Sequence, residues 1–253
     1  MRRSLSILIF LLCALPMSAQ TTKFVQYLGI SETTSPSSGS PFTAAPLTNI
    51  KAGDTLIAIF ALNSPIATTT QATPTDTFNL TWTQIQVPTN TSTAGGQYAA
   101  WCATVGTNQG SDALTFSWSP TTSLFYRGFV IEYAGVSCTK DVGTTAAGGS
   151  ASCNAGPVTT TIPGDLLLTF AYQPGATGTA WTAGGSWTRE SLSTALRTIF
   201  ADQQNVATGA YTGNLSWTTG ASNGCFIVAL KPAAALGTTV IGPTTIAGPA
   251  VIH

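Results

Sequence analysis

Glu132, Glu190 and Asp202 are the carboxylates best placed for acid–base chemistry, and glycoside hydrolysis would need two of them to face each other across a cleft. Glu132 lies in a run whose Phe129, Ile131 and Tyr133 should face a core, so alternation predicts that its side chain points outward. Glu190 and Asp202 follow the aromatic runs at Trp187 and Phe200, and no spacing pairs them. The expectation is ordinary surface carboxylates and no enzyme. His253 is the only histidine and the last residue of the sequence, which argues against a Ser-His-Asp or Cys-His mechanism and against a multi-histidine metal centre. Oxygen ligands for calcium are offered only by Asp141, or by Asp202 with Gln203, Gln204 and Asn205, and neither group has a recognised loop motif. No metal and no cofactor is expected.

Asp54 and Asp165 occupy equivalent Gly-Asp turns, where an aspartate ordinarily hydrogen-bonds local backbone amides. Aromatic side chains carry the better binding case, since sugar rings stack on flat Trp and Tyr faces while Asn, Gln and Thr read hydroxyls. Trp82, Trp118 and Trp217 alternate with polar residues as core positions do, and Trp101 is read as core too. Trp181, between Gly178 and Gly184 in a predicted loop, is the expected ligand platform, with Tyr172 and Tyr211 as companions.

Residues 1–20 carry Arg2 and Arg3, an apolar run and then Ser18 and Ala19, the pattern of a secretory signal peptide. Without Arg2 and Arg3, the cations of the mature chain are fewer than its nine carboxylates, so nucleic acid is not an expected partner. Charged residues make up 7% of the sequence, which leaves the surface to Thr, Ser, Asn, Gln and Gly, a composition suited to extracellular β proteins and poor for helices. Cys102, Cys138, Cys153 and Cys225 remain after the signal and suggest two disulfides in an exported chain. Three pairings are open. Cys138 with Cys153 would pin a Gly- and Ala-rich loop, a closure contributing ~3 kcal/mol, and Cys102 with Cys225 would then follow. Zinc is not indicated, because no C-x-x-C spacing occurs.

The elements that must position these residues are organised around residues 51–63, K-A-G-D-T-L-I-A-I-F-A-L-N, and their later echo at 163–173, P-G-D-L-L-L-T-F-A-Y-Q. Both are apolar on each strand face, the mark of a strand buried on both sides. Further strands are predicted at 24–30, at 77–86 with Phe78, Leu80 and Trp82 inward, at 97–105, at 113–119 and at 124–134. The second half repeats the order. Trp187 echoes Trp82, Ile199-Phe200 echoes Ala100-Trp101, Leu215-Ser216-Trp217 echoes Phe116-Ser117-Trp118, and Phe226-Ile227 echoes Phe129-Val130. An internal duplication follows, with pseudo-repeats at about 24–135 and 156–232 of a domain at 21–232. The fold class expected is all-β, a jelly-roll-like antiparallel β-sandwich built from two pseudo-repeated halves.

The series G-D-x-L, W-T, W-C-A-T-V-G, F-S-W, V-I-E-Y-A-G-V, G-D-L-L-x-T-F, W-T-R-E and F-I-V-A-L-K-P resembles a group of largely uncharacterised bacterial and phage-associated β-sandwich domains. The resemblance covers residues 24–232. It implies a jelly-roll-like unit in an exported, surface or tail-associated protein, and it transfers no active site. Residues 233–253 form an apolar tail containing Gly and Pro, read as docked or as self-associating by strand addition. The function expected is a secreted, non-catalytic protein binding a glycan or another cell-surface component. The alternative is a structural subunit or adhesin joined through residues 233–253.

Overall fold

A computed structural model describes residues 20–30, 40–91, 95–120, 124–149, 151–174, 181–189, 197–218 and 223–234. The signal segment, Glu190, His253 and nearly all of the tail therefore lie outside the described residues. Every described element is a strand, and every pairing is antiparallel.

The first half contains β1 (Lys23–Ile30), β2 (Phe42–Thr43), β3 (Leu47–Ile50), β4 (Thr55–Leu62), β5 (Thr70–Gln71) and β6 (Thr75–Asp76). It continues through β7 (Thr83–Asn90), β8 (Gln97–Thr104), β9 (Gln109–Asp112), β10 (Leu114–Phe116), β11 (Trp118–Ser119) and β12 (Tyr126–Ala134). The second half contains β13 (Val136–Gly148), β14 (Ser152–Thr159), β15 (Asp165–Tyr172) and β16 (Trp181–Ala183). It ends with β17 (Thr188–Arg189), β18 (Thr198–Val206), β19 (Ala210–Trp217) and β20 (Asn223–Pro232).

The two large sheets share one strand order. One five-stranded sheet runs β1-β12-β4-β8-β7 and the other β13-β20-β15-β18-β17, so first, last and Gly-Asp strands take the same places in each. Among the described residues, no strand crosses from one half into the other's large sheet. The two large sheets face each other over a central core in which Ile57, Ile59, Phe129 and Ile131 meet Leu168, Phe170, Phe200 and Phe226. Phe129 and Phe200 pack edge to face at 4.7 Å.

The opposite face of each large sheet is covered as well. Leu56, Phe60 and Trp101 pack on Leu114, Phe116 and Trp118 from the short strands of the first half, with Phe60 stacked on Phe116 at 4.4 Å. Leu167, Ile199 and Ile227 pack on Ala155, Leu215 and Trp217 of the three-stranded sheet β14-β19-β16. Burial of β4 and β15 on both faces thus follows from their position in inner layers, as the unbroken apolar runs predict. The described residues form four layers, where a single two-sheet sandwich was expected, because each half keeps its own outer layer.

Three local expectations are corrected. Residues 77–82 are a turn: the Asp76 carboxylate accepts from the Phe78 and Leu80 amides and from the Trp82 indole at 2.7 to 3.1 Å, and Phe78 is 38% exposed. Local capping by an aspartate there outcompetes the strand that the alternation suggests. Residues 138–153 are strand for most of their length, paired in β13 and β14, where a pinned loop was expected. Ala100, and not Trp101, stands where Phe200 stands in the second sheet, since Ile59 pairs with Ala100 as Phe170 pairs with Phe200. A one-residue slip of that kind exchanges the two faces.

Candidate functional site

The disulfides are Cys102–Cys138 and Cys153–Cys225, which overturns the expected Cys138–Cys153 and Cys102–Cys225. Cys138 belongs to β13 and is drawn over the central core, where it meets Cys102 of β8. Cys153 turns inward from β14 onto β20. Each bridge therefore crosses between layers, a relation invisible to sequence separation.

The carboxylates are the larger surprise. Glu132 does face away from Phe129, Ile131 and Tyr133, yet it is fully buried, because β3 and the turn after it lie over that end of the sheet. Its oxygens accept from Gln26 Nε2 at 2.5 Å and from the Lys51 amide at 3.3 Å. Asp54 bonds no local amide as the turn chemistry predicts; its carboxyl meets Glu132. Burial, the contact with Glu132 and the charge of Glu132 push Asp54 up to about 6, against the pull of Lys51. A cleft of about 260 Å³ lined by Lys23, Phe24, Lys51 and Asp54 opens beside this pair.

The second Gly-Asp turn builds a similar pair from a different strand. Asp165 is fully buried, and its carboxyl meets that of Asp141. Burial, the charge of Asp141 and the hydrogen bond with its carboxyl push Asp165 up to about 7, while Lys231 opposes the shift. Asp141 is itself covered, with a side chain 3% exposed, and its Oδ1 lies 3.6 Å from Lys231 Nζ. The Thr161 amide donates to Asp141 Oδ2 at 2.6 Å, and the Thr161 hydroxyl donates to Oδ1. Although burial works the other way, these donors, Asp165 and Lys231 hold Asp141 below the usual carboxylate range. A shallow cleft of about 600 Å³ runs past Lys140, Asp141 and Pro157. Both pairs were missed in sequence, since Asp54 and Glu132 are far apart along the chain; the paired Gly-Asp turns were the only pointer.

Asp202, Gln204 and Asn205 form a clip in place of the calcium ligand set considered for them. Asp202 accepts the Tyr133 hydroxyl at 2.7 Å, Gln204 accepts the Phe24 amide, and Asn205 bonds both the amide and the carbonyl of Thr22. They fasten Thr22, β1 and β12 of one half to β18 of the other. No group of three metal-ligating side chains forms among the described residues.

Of the three expected ligand aromatics, Tyr172 is 1% exposed in the central core, so it is removed from the surface. Tyr211 is half-buried, and its hydroxyl donates to the Ala207 carbonyl at 2.8 Å. Trp181 opens β16, paired in backbone register with Trp217, where a free loop was expected; its side chain lies outside the described residues. Around it the outward face of β14-β19-β16 is neutral and polar. Ser152 stands opposite Ser216 and Asn154 opposite Asn214, and Thr182 shares a 2.6 Å hydroxyl contact with Ser216. Asn154, Thr182 and Asn214 are exposed. Compared with known proteins, the chain matches no family model, no curated sequence and no solved structure.

Proposed function

We propose that this is an exported, non-catalytic pair of jelly-roll units that binds a surface carbohydrate on the outward face of β14-β19-β16. The jelly-roll reading draws on strand order: the first strand of each half pairs with its last, and the last with the Gly-Asp strand, while in the second half the second, penultimate and fourth strands make the smaller sheet. The observation that carries the binding site is the register of Asn154 with Asn214 and of Ser216 with Thr182, a flat array of amides and hydroxyls without a charge. Such groups match the donors and acceptors of sugar hydroxyls and give an anionic or cationic ligand nothing to pair with. Two disulfides suit an extracellular setting.

The test is retention of the mature protein on a panel of insoluble polysaccharides. Retention on at least one, lowered about tenfold or more in the Asn154→Ala/Asn214→Ala double variant, is expected, each lost hydrogen-bonding group being worth ~1 kcal/mol. No retention on any polymer, or unchanged retention by the variant and by Trp181→Ala, rejects this face as the site.

A second reading, a subunit joined to its neighbour by the tail, draws on where the chain leaves the core. Ala233 donates to Gly135 at 2.9 Å, beside the start of β1, and β1 is an edge strand of its sheet. An edge strand is open to strand addition. Light scattering of the full chain against one ending at Pro232 decides it: assembly only in the full chain supports the reading, and two monomers reject it.

A further inference from the structure

Lys231, Asp141 and Asp165 sit on three neighbouring strands in the order β13-β20-β15, with Lys231 on the middle one. Asp141 lies within the irregular register of β13, between Lys140, paired with Leu230, and Val142, paired with Ala229. Its carboxyl is buried 3.6 Å from the Lys231 amine, whose own side chain stays 36% exposed. Asp165 is wholly buried behind them, its carboxyl held against that of Asp141. An ion pair by itself would not require a third acid buried against it, and burying one there is costly.

We propose that this cluster forms an intramolecular amide, joining Lys231 Nζ to Asp141 Cγ with Asp165 as the proton carrier and water as the leaving group. The ammonium of Lys231 passes a proton to the carboxylate of Asp141, which leaves a neutral amine beside a neutral acid. Nζ then attacks Cγ, and the Thr161 amide, already on Oδ2, stabilises the oxyanion that develops there. Asp165 gives its proton to the departing oxygen, which leaves as water, and takes one back from the new N–H₂ centre. The balance is one ammonium and one carboxylate in, one secondary amide and one water out, with Asp165 restored. The elevated affinity of Asp165 for its proton leaves it able to donate in neutral solution. Exposure of the lysine stem gives the water a way out.

The bond would staple the first strand of the second large sheet to its last.

Mass spectrometry of the purified full chain, reduced and denatured, tests the proposal. The wild-type protein is expected to be lighter than its processed sequence by one water, and a protease digest to yield a branched peptide linking Lys231 to Asp141. Lys231→Arg, Asp141→Ala and Asp165→Asn are expected at their full masses, and Asp141→Asn should lose ammonia in place of water. Full mass in the wild-type protein overturns the proposal, as does a water deficit that persists in Lys231→Arg. Because the wild-type measurement decides it, a variant that fails to fold does not obscure the result.

Discussion

Glu132 shows how far one residue's pattern reaches. Its alternation with Phe129, Ile131 and Tyr133 correctly assigned it to the face away from the central core, but period says only which face a side chain takes and nothing of what covers that face. The cover, β3 and the Lys51 turn, brings Glu132 against Asp54 and raises the Asp54 carboxyl from its ordinary value to about 6. A group whose folded value is raised binds its proton more tightly in the native state, so its contribution is complete below the unfolded value and is lost as pH rises through the folded one. Stability should therefore fall between about pH 4 and 6 from this group. Asp54→Asn, which keeps a donor toward Glu132 at every pH, is expected to flatten that part of the profile and to gain about 1 kcal/mol at pH 8, read from denaturant midpoints at several pH values. An unchanged profile would show that Asp54 does not titrate in that range.

At the scale of elements, strands with strong apolar runs were legible and strands defined by their partners were not. β4, β8, β12 and β15 lie close to their predicted bounds, since double-sided burial writes itself into consecutive residues. β13 and β14, rich in Thr, Gly and Ala, read as a loop and are strands only because β20 and β19 pair with them. The cysteine pairing failed for the same reason: proximity in sequence was a poor guide once 138 and 153 proved to face different layers. Peptide mapping without reduction should return Cys102–Cys138 and Cys153–Cys225. The loops closed span sequence separations of 36 and 72, so replacing either pair by alanine is expected to cost about 4 kcal/mol in the chain-entropy picture, read as a lowered denaturation midpoint. A map containing a Cys138–Cys153 peptide would contradict the layer assignment.

On the scale of the whole molecule, the two halves are separate in their strands and joined in their core. Tyr98 donates its buried hydroxyl to the Cys225 carbonyl of the other half at 2.9 Å, and the Cys102–Cys138 bridge and the Asn205 clip cross the same boundary. A fragment of residues 21–135 would expose the face bearing Ile57, Ile59, Phe129, Ile131 and Tyr133, a far larger apolar patch than soluble monomers tolerate. Expressed alone, it is expected to aggregate or self-associate in size-exclusion chromatography, and a monomeric, cooperatively folding fragment would show that the halves are independent. The all-β class and the strands of the inner layers were determined by the sequence alone, because periodicity is a local property of the chain. Which acids meet, which cysteines bond and whether Tyr172 reaches the surface were decided only by the tertiary structure. Each depends on what the stacking of layers brings against a face, and residues far apart in the chain supply that neighbour.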